Sequence, residues 1–402
     1  MARLLYLVHR LPYPPNKGDK VRSFHLLKHL AQRHAVHLGT FIDDPADEAY
    51  VDTVRGYCAG LHIARLSPRL AKLRSLRGLL SGEALSLPYY RDAGLRDWVT
   101  RTCAADDIDA AVVFSSVMAD YLPGHSAKPL PALVDFVDMD SAKWRQYAGT
   151  HRWPLSWLYR REGERLLAFE RAVAMQARQG YFVTEAECDL FCAAAPESAG
   201  RITPMGNGVD ADFFSPQHAG PSPYPVGEIP LVFTGAMDYW PNVDAAVWFA
   251  GEAVPRLRAR HPALRFYIVG RSPDPAVQAL AGEGVVVTGT VDDVRPWLAH
   301  AAVAVAPLRI ARGIQNKVLE AMAMARPVVA SAACAGPIDA VPGEELLAAA
   351  DIDAYVGHID QLLADRAHAD IIGCNARRRV VERYSWDAHL AVIDRHLEQV
   401  LR

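Results

Sequence analysis

Short apolar runs alternate with longer stretches of mixed polarity along nearly the whole chain. Residues 3–8, 36–41, 110–114 and 132–136 read as buried strands. Between them, 21–32, 46–57 and 94–103 carry the spacing of helices. The alternation restarts with strands at 231–234, 266–269, 285–288, 303–306 and 327–330, separated by helices near 243–259, 291–299 and 316–324. Repeated strand–helix units predict an α/β protein with doubly wound parallel sheets covered on both faces.

Five prolines fall at 216, 221, 223, 225 and 230, a density that no helix or central strand accepts. They mark a linker close to a domain boundary, which is placed near Pro204. The expected organisation is a first domain over 1–203, a second over 204–384 and an amphipathic C-terminal helix over 385–402 that packs back on the first domain. Its apolar positions are Leu390, Ile393, Leu397, Val400 and Leu401. Two such domains imply a cleft between the carboxyl ends of their sheets, where these folds place ligands.

Composition narrows the function. The 402 residues carry 43 basic and 46 acidic side chains, a net charge of −3, which excludes the broad basic footprint of a dedicated nucleic-acid binder. No apolar run approaches the ~20 residues of a membrane-spanning helix. The run Leu4-Leu5-Tyr6-Leu7-Val8 is too short for a signal-peptide core, and the six cysteines form no CxxC pair. A cytoplasmic protein with reduced thiols is expected.

Two segments carry candidate chemistry. The loop after the first strand, Pro12-Tyr13-Pro14-Pro15-Asn16-Lys17-Gly18-Asp19-Lys20, opens a helix whose free N–H groups favour an anion. It matches neither a dinucleotide fingerprint nor a P-loop. The second segment runs from Pro307 to Ala323 at the carboxyl end of the strand 303–306. There Arg309, Arg312, Gly313, Gln315, Asn316 and Lys317 crowd one helix start, and Glu320 lies one turn beyond Asn316. That arrangement suits a diphosphate, with a carboxylate for ribose hydroxyls.

Gly206-Asn207-Gly208-Val209-Asp210 with Phe214-Ser215-Pro216, then Phe233-Thr234-Gly235, Ile268-Val269-Gly270, and Leu319-Glu320-Ala321-Met322-Ala323 with Pro327-Val328-Val329 follow in that order. Together they resemble the nucleotide-sugar glycosyltransferases of the GT-B fold, family four, the retaining "glycosyl transferases group 1". Pro14-Pro15-Asn16-Lys17-Gly18-Asp19 and Met237-Asp238-Tyr239-Trp240-Pro241-Asn242 look like a subgroup tied to exopolysaccharide loci of the exosortase and PEP-CTERM system. The resemblance implies a first domain that takes the acceptor and a second that takes the nucleotide-diphosphate sugar, with no further cofactor and no metal. Asp138, Lys317 and Glu320 are then the catalytic candidates. Asn16, Lys17, Gly18, Gly235, Arg271, Arg309, Arg312, Gly313, Gln315 and Asn316 are the donor-binding ones.

Three positions depart from the family pattern. Arg312 stands where the first of two glutamates is usual, and Ala236-Met237-Asp238-Tyr239 replaces the arginine–lysine pair expected after Gly235. Val137 stands in the place of a histidine before Asp138. Arg309, Arg312, Lys317 or Arg271 is expected to restore the lost positive charge. Alternation puts Asp138 and Asp140 on one face of a strand and Asp135 on the other. His9 and His25 read as packing or surface residues.

Residues 65–82 contain Arg65, Arg69, Lys72, Arg74 and Arg77, no acid, and interspersed leucines, the pattern of a basic amphipathic helix. Trp153, Trp157, Tyr159, Arg160 and Arg161 form a second basic, aromatic cluster. An anionic membrane surface and a glycan or lipid-linked acceptor are the partners this implies; leucines packed into the first domain are the competing reading. A nucleotide-sugar epimerase and a non-catalytic scaffold of a polysaccharide assembly complex are the alternatives to a sugar transferase.

Overall fold

The apolar runs assemble into two separate parallel sheets. The computed structural model describes all residues except 16–17, 106, 124–129 and 312–313, together with the side chain of Thr150. Met1–Asn207 and His389–Arg402 form one compact unit and Gly208–Ala388 the other.

The first unit holds seven strands: β1 Arg3–Val8, β2 Ala35–Ile42, β3 Gly60–Arg65, β4 Ala110–Phe114, β5 Ala132–Val137, β6 Gln179–Phe182 and β7 Ile202–Pro204. Their order is β3-β2-β1-β4-β5-β6-β7, all pairs parallel. Leu4, Leu5, Tyr6, Leu7 and Val8 are fully buried, as a strand covered on both faces requires. The second unit holds β8 Ile229–Thr234, β9 Leu264–Val269, β10 Val285–Gly289, β11 Val303–Ala306, β12 Val328–Ser331 and β13 Leu347–Ala349. Their order is β10-β9-β8-β11-β12-β13, again parallel. The winding direction reverses between β1 and β4 in one sheet and between β8 and β11 in the other. At such reversals, adjacent loops part and leave a crevice at the carboxyl edge.

A buried ion pair organises the first unit. Arg22, on the helix Gly18–Ala31, donates from Nε to Asp135 Oδ2 at 2.7 Å and from Nη2 to Oδ1 at 3.0 Å. Its Nη1 also reaches the Gly206 carbonyl at 3.1 Å and Asn207 Oδ1 at 3.0 Å. The Gly206-Asn207 motif is therefore an anchor for the chain leaving β7. In the helix Trp386–Leu401, Leu390, Ile393 and Leu397 are buried, and the residues from His389 onward belong to the first unit. There Asp394 meets His29 at 2.9 Å and His396 meets the Tyr181 hydroxyl at 2.7 Å.

Some local expectations change. Residues 46–57 do not form one helix: a 3-10 segment, Pro45–Tyr50, capped by Asp44, gives way to the short helix Val51–Arg55. The helix expected over 291–299 contracts to Arg295–Ala299, with Pro296 in its first turn. Residues 65–82 are not a continuous helix. Arg65 ends β3, Pro68 starts the helix Pro68–Ser75, and a second helix, Arg77–Ser81, ends at the left-handed Gly82.

Candidate active site

At the carboxyl edge of the second sheet, Gly235 follows β8 and Gly270 follows β9. A Cβ on Gly270 would stand 1.6 Å from the Gly235 carbonyl oxygen, so these two turns pack backbone against backbone. The helix Asn316–Ala323 follows β11 and brings Lys317 across the reversal point. Lys317 Nζ donates to Asn242 Oδ1 at 2.5 Å and lies 4.8 Å from the Phe233 ring centroid. Asn242 Nδ2 in turn donates to the Ala236 carbonyl at 2.8 Å. A Cβ on Gly235 would come within 3.0 Å of Lys317 Nζ, so glycine leaves the ammonium room.

Electrostatics single out the same residues. Burial lowers Lys317 to about 8, against the pull of Cys334 and Glu320. Glu320, half-buried as a residue, is pushed up by burial to about 7, with Lys317 opposing. Both ionised forms are thus poorly solvated. An incoming anion would restore to Lys317 the stabilisation that burial removes.

The other second-unit candidates stand differently. Arg309 donates from Nε to Asp244 Oδ2 at 2.9 Å and from Nη2 to Oδ1, so its fork is already committed to a carboxylate at the exposed surface. Arg271 is exposed directly after Gly270, its carbonyl accepting from Met237 N at 2.9 Å. Gln315 precedes the helix and Asn316 opens it, exposed. Arg312, Gly313, Asn16 and Lys17 lie outside the described residues. Gly18 begins its helix, and a Cβ there would meet nothing within 4 Å. The structure therefore groups Gly235, Lys317 and Glu320 and adds Asn242, which the sequence reading quoted in a motif but did not assign.

In the first unit, Lys143 Nζ bridges Asp138 Oδ2 at 2.8 Å and Asp140 Oδ1 at 3.1 Å. Burial opposes its charge, yet the two carboxylates raise it to about 12. Val137, in the histidine's place, has φ 68°, a strained conformation for a β-branched residue, and its N–H donates to Asp135 Oδ1 at 3.1 Å. Asp135 itself belongs to the Arg22 pair in the core. Among the described residues, no group of three or more His, Cys, Asp or Glu is placed to hold a metal ion.

The first unit also holds an open cavity of about 500 Å³, within the roughly 300–1,000 Å³ usual for small-molecule sites. His9 follows β1, Ser115 follows β4, and both line it, astride the reversal point. Asp140, Lys143, Trp144 and Tyr159 form another part of the wall; Asp138 is not among the lining residues. His9 is thus no isolated histidine, because Phe114, Tyr90 and Asp19 come to it from distant parts of the chain. Nothing in the residues around position 9 carried that signal.

The leucines of 65–82 divide. Leu66 is buried, but Leu70, Leu73, Leu76, Leu79 and Leu80 are exposed, Leu80 by 92%. Trp153 is 80% exposed, and Leu155 and Trp157 are exposed as well. Packing into the core does not account for most of these side chains.

Residues 228–365 match the model of the family described as Glycosyl transferases group 1. No curated protein matches the sequence. Sucrose-phosphate synthase from Thermosynechococcus elongatus is similar in structure, with TM-score 0.64 and 19% identity, covering 100% of this chain and 99% of that one. Anabaena HepE in complex with UDP has TM-score 0.62 and 15% identity, covering 99% of this chain and 100% of its own. WaaG, a glycosyltransferase involved in lipopolysaccharide biosynthesis, has TM-score 0.57 and 16% identity over 97% of this chain and 98% of its own. At these identities the likeness is one of fold: two parallel-sheet α/β domains of the GT-B type.

Proposed function

We propose that the protein is a retaining glycosyltransferase of family four. It moves a hexose-type sugar from a nucleotide-diphosphate sugar to a lipid-linked glycan acceptor in exopolysaccharide biosynthesis, in the manner of the PEP-CTERM-associated subgroup. The observation that carries this reading is Lys317 beside Gly235, a half-buried ammonium at the carboxyl edge of a parallel sheet, inside the segment that matches the group 1 family model. Solved HepE structures in complex with UDP and with UDP-glucose support a nucleotide sugar as donor.

In this reading the second domain takes the donor and the first the acceptor. Lys317 faces the diphosphate, where its charge stabilises the leaving group as the glycosidic bond breaks. Glu320 accepts hydrogen bonds from ribose hydroxyls. Exposed Leu70, Leu73 and Leu80, set among Arg69, Lys72, Arg74 and Arg77, favour a peripheral seat on an anionic membrane surface at the cytoplasmic face.

Incubation with UDP-, GDP- and ADP-sugars tests the assignment, with calorimetry for binding and product analysis for turnover. Transfer to an added glycan supports it. An isomerised donor would instead indicate an epimerase, and binding without turnover a scaffold.

A further inference from the structure

The turn that joins β5 to the helix Asp140–Thr150 is held by a carboxylate at every second residue. Val137 N donates to Asp135 Oδ1 at 3.1 Å, Met139 N to Glu187 Oε2 at 2.7 Å, and Ser141 N to Glu170 Oε1 at 3.3 Å. Ser141 Oγ also donates to Glu170 Oε2 at 2.6 Å. The two glutamates come from different elements, Glu170 from the helix Leu155–Gln176 and Glu187 from the helix Glu185–Ala194.

Local structure does not explain either glutamate. Thr184 caps its helix by accepting from Glu187 N at 3.1 Å. In a capping box the glutamate three places after such a threonine turns back to the threonine N–H. The Glu187 carboxylate reaches Met139 instead, 48 positions away. Glu170 is 1% exposed, a depth at which a carboxyl group needs hydrogen-bond donors. The helix Asp140–Thr150 has no side-chain cap of its own. Both glutamates therefore supply acceptors to N–H groups at its start, where negative charge is favoured. Close packing fixes the place, since a Cβ on Gly163 would stand 2.9 Å from the Ser141 carbonyl oxygen.

What these bonds hold is strained and charged. Val137 keeps its φ of 68°, a conformation that persists only where the surroundings over-determine it. The side chains between the pinned residues, Asp138 and Asp140, turn to Lys143 Nζ and share it at 2.8 and 3.1 Å. Asp140 and Lys143 line the cavity of the first unit, and Asp138 does not.

We propose that Glu187 and Glu170 are positioning residues. By pinning Met139 and Ser141 they hold Asp140 and Lys143 in the cavity wall, with Asp138 as second anchor of the ammonium. Their part in turnover rests on the transferase reading; the pinning of the turn does not.

The test uses the full chain and two readouts. Competitive acetylation with acetic anhydride at mildly alkaline pH, read by mass spectrometry against Lys28, reports how firmly the two aspartates hold the Lys143 proton. Nucleotide release from UDP-, GDP- and ADP-glucose, with cellobiose, maltose and chitobiose added, reports turnover. Loss of one charge-assisted hydrogen bond in Glu187→Ala should raise Lys143 labelling about fivefold and lower kcat about tenfold, with donor KM and UDP affinity unchanged. Glu187→Gln keeps an acceptor oxygen for Met139 and should return both readouts to within about threefold of the wild type. Glu170→Gln should behave like Glu187→Gln, and Glu170→Leu like Glu187→Ala. Glu187→Ala added to Asp140→Asn should cost little beyond Asp140→Asn alone, because residues that act through one another are not additive. Unchanged Lys143 labelling in a folded Glu187→Ala protein overturns the pinning. Rate losses that multiply in the double variant, or a Glu187→Gln protein no better than Glu187→Ala, overturn the positioning role. A wild type that releases nucleotide from no donor takes the transferase reading and the role in turnover with it, while the labelling still decides the pinning.

Discussion

Lys317 Nζ and Asn242 Oδ1 meet at 2.5 Å, joining the segment after β11 to the helix Trp240–Arg260 that follows β8. The contact spans the point where the sheet order reverses, and it holds an ammonium where burial makes its charge costly. The lysine is therefore poised to gain more from an anionic ligand than an exposed lysine would.

Lys317→Ala and Glu320→Ala test that pairing. A hydrogen bond to a charged group is worth about 1.5–3 kcal/mol, so each change should weaken nucleotide binding by roughly ten- to a hundredfold. For Lys317 the loss of turnover should exceed the loss of affinity, because charge on the diphosphate grows toward the transition state. Calorimetry with UDP and steady-state rates measure the two. Unchanged affinity in a folded Glu320→Ala protein would sink the ribose assignment.

The pH dependence follows from the same two groups, with opposite signs. Lys317 is lowered to about 8, so nucleotide affinity should hold through neutral pH and decline as pH rises through that value. Lys317→Arg, which stays charged, should flatten the alkaline decline. Glu320 is raised to about 7 from an unfolded value near 4.5. Its native form therefore binds the proton more tightly than the unfolded chain does. The associated stability is fully present below about 4.5 and is lost as pH rises through 7. Glu320→Gln should remove that slope, worth about 3 kcal/mol for a shift of that size, in denaturant titrations between pH 4.5 and 7.5.

How much of this was legible in sequence depends on whether a signal is local. Leu4 to Val8 and Val303 to Ala306 announce themselves because strands buried on both faces are uniformly apolar. The strand Gly60–Arg65 escapes notice because it lies at the sheet edge and is half exposed, with His62 and Arg65 breaking the pattern. Pro68 should have divided the stretch 65–82, but the leucine spacing on either side hid the break. The position of Lys317 and Glu320 at the carboxyl edge of the second sheet was readable from their place after a strand. Arg309 was not, since its partner Asp244 is 65 positions away, and His9 gained meaning only when folding brought Asp19, Tyr90 and Phe114 around it.

Arg22 and Asp135 provide a stability test apart from the ligand sites. Both side chains are essentially inaccessible, and the pair also supports Gly206 and Asn207. Asp135→Asn leaves a buried guanidinium without its counter-charge and should cost about 3–5 kcal/mol. The double change Arg22→Met with Asp135→Leu should cost much less, since no charge is left stranded. Chemical denaturation of the three proteins separates the outcomes; a double variant as unstable as the single would show that the contacts to 206–207 dominate.

The membrane surface yields the last test, and the exposed leucines sharpen it. If Arg69, Lys72, Arg74 and Arg77 face anionic lipid, each contributes on the order of 1 kcal/mol near the surface. Arg74 already donates to the carbonyls of Pro88 at 2.9 Å and Tyr89 at 2.8 Å, so its share should be the smallest. Sedimentation with phosphatidylglycerol vesicles should capture the protein at low salt and release part of it as salt rises, because screening shortens the attraction. Neutral vesicles should capture less. Leu70→Ser combined with Leu80→Ser should reduce binding even at low salt, where the basic residues are intact, because two exposed apolar side chains no longer enter the acyl boundary. Arg69→Glu with Arg77→Glu should abolish the salt dependence instead. A wild-type protein that stays in the supernatant with anionic vesicles at low salt has no such surface, and its exposed leucines then serve some other contact.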